Sequence, residues 1–146
     1  MEKGKIKKIK IFAEKNLPPQ IVQKAEFFVD CGLKGDRFAK GGEKQLTAID
    51  IQSLEWMQST VEKGLCFARY KANLEIENMD LSLLKNGDKL VCGEVKLQIS
   101  DVCKECFSEC ELAQKNKPCM LRYHAKYLKV FQGGTVQIND EIYKEQ

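Results

Sequence analysis

A mainly β, single-domain fold with a few short helices is what this chain predicts, and three observations predict it. Apolar residues recur at every second position in several short stretches, the period of a strand with one buried face. Turn signals built on Gly, Pro, Asn and Asp separate those stretches at intervals suited to a barrel or a sandwich. The chain has 146 residues, 43% of them hydrophobic and 31% charged. That is the size of one domain, residues 1–146, and the composition of a chain that buries a core rather than staying disordered.

Each element follows in order. Ile9, Ile11 and Ala13 alternate as a first strand, and Leu17-Pro18-Pro19 ends it. Ala25, Phe27 and Val29 form a second, before a glycine-punctuated loop from Gly32 to Gly42. Asp50 is placed to cap a helix in which Ile51, Leu54, Met57 and Val61 share a face and Gly64 supplies the stop. Asn86-Gly87-Asp88 and Cys92-Gly93-Glu94 read as turns, and Val95, Leu97 and Ile99 as a strand. A shorter helix is expected from Glu109 to Asn116, stopped by Pro118. Tyr123 to Phe131 is strand-like, Gln132-Gly133-Gly134 turns the chain, and Val136 and Ile138 alternate in a last strand. No internal repeat or low-complexity segment interrupts this pattern.

The charge balance, 24 basic against 21 acidic residues, is too mild and too dispersed for a nucleic-acid footprint, although it suits a small anionic ligand. The lysine-rich Met1 to Lys10 lacks the apolar run of a signal peptide, and no apolar stretch approaches the roughly 20 residues of a membrane helix. A cytoplasmic protein that meets neither nucleic acid nor membrane is expected. Its seven cysteines, Cys31, Cys66, Cys92, Cys103, Cys106, Cys110 and Cys119, would then sit in a reducing compartment, where clustered thiols more often bind metal or react than form disulfides.

Cys103, Cys106, Cys110 and Cys119 could surround a tetrahedral zinc ion, but only one Cys-x-x-Cys unit exists and the spacing does not match a ferredoxin. Cys31, Cys66 and Cys92 read as buried packing thiols. In the cluster, Lys104 and the amides of the expected helix near Glu109 favour thiolate over thiol, which makes a nucleophile. The single histidine, His124, reads as structural, and a Cys-His pair has no support in the pattern. No Gly-rich phosphate loop of a known type is present.

The order of motifs adds to this. Gly32-Leu33-Lys34-Gly35-Asp36-Arg37, Glu43-Lys44-Gln45-Leu46-Thr47, Ala72-Asn73-Leu74, Met79-Asp80-Leu81, Asn86-Gly87-Asp88-Lys89-Leu90, Lys104-Glu105-Cys106 and Phe131-Gln132-Gly133-Gly134-Thr135-Val136 together resemble the MOSC domain, named after the C-terminal part of molybdenum cofactor sulfurase. The resemblance runs from Lys5 to Tyr143 and is closest to small stand-alone bacterial members. It implies a β-barrel-like fold that binds the molybdenum cofactor (molybdopterin) or handles sulfur for it.

The family's cysteine matches Cys106, which the resemblance makes a persulfide carrier or a molybdenum ligand. Lys44, Arg69, Asn73 and Lys104 are the expected cofactor contacts, because a terminal phosphate and a pterin need cations and amide donors. Cys110 and Cys119 match further cysteines that could resolve or relay sulfur. Small members often carry histidine where this chain has Phe38 and Phe107, and the family's Arg-Gln pair stands here as Lys44-Gln45, which loses the bidentate fork. With no desulfurase segment in the chain, pyridoxal phosphate would belong to a partner cysteine desulfurase, and a molybdoenzyme is the other expected partner. The activity implied is sulfur transfer or a part in a molybdenum-dependent reductase. A small zinc-binding or thiol redox module without molybdenum cofactor is the alternative.

Overall fold

The computed structural model describes residues 3–15, 17–59, 72–103 and 124–145. Seven strands close a barrel: β1 (Lys3–Ile11), β11 (Glu141–Lys144), β7 (Lys89–Cys92), β8 (Val95–Cys103), β9 (Lys126–Gln132), β5 (Leu46–Asp50) and β6 (Leu74–Glu77), which pairs back onto β1. A short strand, β2 (Gln20–Val22), adds to the far end of β1. A separate small sheet runs β10 (Gly134–Gln137), β3 (Lys24–Phe28), β4 (Gly32–Leu33). Ala25, Phe27, Leu33 and Val136 of that sheet join the barrel's hydrophobic core.

The alternating sets mostly point inward as the sequence predicts. Val95, Leu97 and Ile99 are all buried, as are Ala25 and Phe27. Burying Val95, Leu97, Ile99 and Phe27 contributes about 1.5–3 kcal/mol each by removing apolar area from water. The first strand keeps its predicted phase at Ile9 and Ile11, which packs against the core, and departs from it at Ala13, exposed beyond the strand's end. A bulge between Ile6 and Lys8 in the pairing with β6 shifts the register, so Gly4, Ile6 and Ile9 face the core while Ile11 is only partly buried. An extra residue in one strand flips the faces that follow it, and simple alternation cannot register that. Val29 lies beyond the end of β3 and is exposed.

Strands β5 and β6 carry no clean alternation, since four of five and three of four of their residues are buried. They are the parallel pair of the barrel, and parallel neighbours need a long crossover. That crossover carries α1 (Ile51–Ser59), capped by Asp50 as predicted: Asp50 Oδ1 accepts from Ser53 N at 3.0 Å and from Ser53 Oγ at 2.5 Å. Val61, Gly64 and the helix expected over 109–116 lie outside the described residues. His124 stands ahead of β9, which starts only at Lys126.

Gly32 shows why that loop needs glycine. Its φ is +140°, and a Cβ there would stand 2.7 Å from the Gln45 carbonyl oxygen and 3.1 Å from Ala39. Gly32→Ala is expected to destabilise the fold by about 1–3 kcal/mol, the range for a strained backbone position. A lowered urea midpoint at unchanged slope would show it, and an unchanged midpoint would contradict this packing.

Candidate functional site

The motif residues that mark the site converge first on one another. Asp36 is buried, and its Oδ1 accepts from Phe12 N at 2.8 Å and from Asn73 Nδ2 at 3.1 Å, while Oδ2 accepts from Phe38 N at 3.1 Å. Asn73, also buried, donates its second amide hydrogen to the Lys10 carbonyl at 3.0 Å. Its Oδ1 accepts from Thr47 N at 3.0 Å. Both amide hydrogens are thus used within the protein, and the oxygen is engaged as well. Gln45 is likewise turned inward, accepting from Val130 N at 2.9 Å and donating to the Gly42 carbonyl at 3.0 Å.

These bonds bear on how Asn73 is used within the fold. Asn73 serves as a structural junction and has no donor left for a pterin, because the chain brings three backbone and side-chain partners to it. Lys44 is different. Its side chain is exposed, with Nζ 5.0 Å from the centroid of the Tyr127 ring. The preceding Glu43 is anchored to Ser100 Oγ at 2.6 Å and to Lys129 Nζ at 3.2 Å, so Lys44 is carried on a segment pinned to β8 and β9. Arg69, Lys104 and Cys106 lie outside the described residues, as do Cys66, Cys110, Cys119 and Phe107. Cys103, at the end of β8, pairs with Lys126, at the start of β9.

A second cluster assembles close to that place. His124 Nδ1 lies 2.6 Å from Asp50 Oδ2 and 3.3 Å from Asp80 Oδ1. Carboxylate oxygens only accept, so Nδ1 carries the hydrogen. Two atoms on one tetrahedral zinc, each about 2.0–2.1 Å from it, would stand roughly 3.3 Å apart. A separation of 2.6 Å is therefore the spacing of a hydrogen bond. Asp50 also accepts from Leu81 N at 3.0 Å, and the imidazole thereby ties the β5–α1 junction, the turn at Asp80 and the start of β9. The structural reading of His124 agrees with this geometry. The partners Asp50 and Asp80 were not assigned to it, since they stand 74 and 44 residues away; the local cue that was available is Asp80-Leu81-Ser82, a capping pattern.

The two motif carboxylates titrate in opposite directions. Burial pushes Asp36 above its ordinary 3.8, against the bonds from Phe12, Phe38 and Asn73 and the charge of Arg37. Asp80 is held below 3.8, chiefly by the Ser82 hydroxyl, with the Ser82 amide and His124 adding to it. Among the cysteines, Cys92 is buried and its thiol is pushed up to about 12, by burial first and Asp140 second. It is an inert packing thiol. Cys31 is half-buried and donates to the Ala39 carbonyl at 3.3 Å.

The chain belongs to the MOSC domain family, whose model matches residues 35–143. The barrel is similar to the YUAD protein from Bacillus subtilis, at 19% identity and TM-score 0.66, with 97% of each chain covered. It is similar also to YiiM from Geobacillus stearothermophilus, at 14% identity and TM-score 0.66 over 98% of this chain and 75% of that one. YiiM from Escherichia coli gives 16% and 0.61, over 100% and 70%. At such identities the likeness is one of fold. A comparison with curated proteins finds no match. No helix among the described residues is long and apolar enough to cross a membrane.

Two outcomes are expected. Asn73→Ala leaves the Asp36 carboxylate, the Lys10 carbonyl and the Thr47 amide short of a partner, and should cost roughly 2–4 kcal/mol in chemical unfolding. A loss below 1 kcal/mol, about the worth of one ordinary bond, would deny Asn73 its junction role. For Asp80 the folded value lies below the unfolded one, so its contribution is present above about 3.8 and is lost as pH falls through the lowered value. The stability gap between wild type and Asp80→Asn, followed by urea unfolding across pH, should be widest at neutral pH and narrow in acid. A gap that widens in acid would reverse the assignment.

Proposed function

We propose that this MOSC protein handles the molybdenum cofactor, with the Cys106 thiol as persulfide carrier or metal ligand. Family membership over residues 35–143 is the observation that carries the reading. The described residues fit an anionic group of that kind at Lys44. This ammonium is exposed, pairs with no carboxylate among the described residues, and sits on a segment that Glu43 fixes. Arg69 and Lys104 are the further proposed contacts, and Asn73 is set aside because its amide is committed. The cofactor, when bound, supplies the metal and its sulfur or oxygen ligands.

What the chain itself contributes is a thiol, cations and a barrel. As sulfur carrier, Cys106 takes the terminal sulfur of a donor persulfide: a new Sγ–S bond forms, the donor's S–S bond breaks, and the donor cysteine leaves as thiolate. No oxidant is consumed in that exchange. The donor would be a partner cysteine desulfurase bearing the pyridoxal phosphate, and a molybdoenzyme would be the recipient. Cys92, buried and with its thiol pushed up to about 12, is unsuited to the step.

The test is elemental analysis of protein from a cofactor-producing host, together with mass spectrometry for one added sulfur. Wild type is expected to carry molybdenum or a persulfide and Cys106→Ser neither, with both proteins unfolding at the same midpoint. Stoichiometric zinc without molybdenum would favour the zinc module instead. Loading that survives in Cys106→Ser would remove Cys106 from the reading.

A further inference from the structure

The small sheet turns one face to the core and the other to solvent. Along β3, Ala25 and Phe27 are buried while Lys24, Glu26 and Phe28 are exposed. On β10, Val136 is buried and Thr135 exposed, and Thr135 stands directly opposite Glu26 in the antiparallel register. Glu26, Phe28, Val29, Gly133, Gly134 and Thr135 line a groove of about 400 Å³ along these strands. Phe28 is 44% exposed and Val29 50%, so the groove has an apolar end. Gly133 keeps that end open: a Cβ there would stand 2.7 Å from the Phe27 carbonyl oxygen, and the chain presents bare backbone instead.

Two polar side chains of the groove are uncommitted. The Glu26 carboxylate and the Thr135 hydroxyl make no hydrogen bond or ion pair among the described residues, although the backbone of each is used. The Lys34 amide donates to the Glu26 carbonyl at 3.0 Å, and the Thr135 amide to Glu94 Oε1 at 3.2 Å. Lys24, on the same face of β3, and Lys34, across from Glu26, form no ion pair with it. Directly opposed residues have Cβ atoms about 4.5–5.5 Å apart, so the carboxylate and the hydroxyl can hold one head group between them. Two residues along a strand is about 6–7 Å, the spacing from Glu26 to Phe28. An apolar lining with a few convergent polar groups is the pattern of a ligand site. A carboxylate only accepts and a hydroxyl can accept, so the head group that matches both is a cationic donor.

We propose that this groove binds a small organic cation, with an ammonium group held by Glu26 and the Thr135 hydroxyl and an aromatic body lying on Phe28 and Val29 beside the backbone of Gly133 and Gly134. The ligand's ring covers apolar surface that the sheet otherwise exposes, and its contact with Phe28 adds to that burial. The site uses neither Lys44 nor a thiol, so it stands whether or not the protein handles molybdenum.

The experiment titrates the isotope-labelled full chain with phenethylammonium and follows the backbone amides by NMR. Hydrocinnamate serves as the probe of opposite charge and phenethyl alcohol as the neutral one, all at matched ionic strength. Saturable shifts centred on Glu26, Phe28, Gly133 and Thr135 are expected with the ammonium, at a dissociation constant of about 1–10 mM for so small a probe. The alcohol should bind more weakly and the carboxylate weakest. Glu26→Gln, a change at an exposed side chain, should weaken the ammonium about two- to fivefold, the worth of an exposed ion pair, and erase its advantage over the alcohol. Phe28→Ala should weaken ammonium and alcohol alike by about two- to tenfold through lost ring contact. No saturable shift, shifts centred elsewhere on the molecule, or equal affinity for the three probes overturns the proposal. So does a Glu26→Gln chain that binds the ammonium as tightly as wild type; the three-probe comparison on wild type decides the matter even if a variant folds poorly.

Discussion

Between β1, β5 and β6 a carboxylate and an amide meet where little water can reach either. Asp36 and Asn73 hydrogen-bond at 3.1 Å, and their remaining capacity takes the Phe12 amide, the Lys10 carbonyl and the Thr47 amide. These partners come from the end of the first strand, the glycine loop, the strand before the helix and the strand after it. A buried polar group that loses one partner suffers the desolvation of all it cannot pair, so the junction holds completely or weakens the whole. It also sets where the loop from Gly32 to Gly42 lies, through Phe38 N on Asp36 and Arg37 N on Phe12.

From that anchoring follows a division of labour within the family's motifs. Asp36, Gln45 and Asn73 are turned inward and brace the barrel, whereas Lys44, next to the inward Gln45, is exposed and keeps its charge available. A polar residue turned inward fixes the backbone at that point, and the neighbour in sequence is thereby aimed outward with little freedom. Glu43 repeats the device from the other side by bridging Ser100 and Lys129 beneath Lys44. Lys44 is positioned by the same bonds that close the fold.

At the place where the chain leaves β8 and returns to β9, the proton-bridged Asp50, Asp80 and His124 play a comparable part. Asp50 serves two elements at once, capping α1 through one oxygen and receiving His124 and Leu81 on the other. The proposed chemistry asks nothing of the buried Cys92, whose thiol burial keeps protonated.

The β-rich class, the inward faces of Ala25 and Phe27 and of Val95, Leu97 and Ile99, the Asp50 cap and the family were all legible along the chain. Each of these depends on residues a few positions apart: the period of a strand, a capping side chain three residues from its amide, or motifs in a fixed order. The closure of β11 onto β1, the bulge that resets the phase of β1, and the parallel pair β5–β6 were not legible, because they depend on which strands become neighbours. The same holds for the roles of single polar residues. Asn73 reads alone as a donor for a ligand, and only the approach of Asp36, Thr47 and Lys10, from 26 to 63 residues away, commits its amide to the barrel. Local sequence determines what a residue can bond; the packing of distant segments decides which of those bonds are already taken.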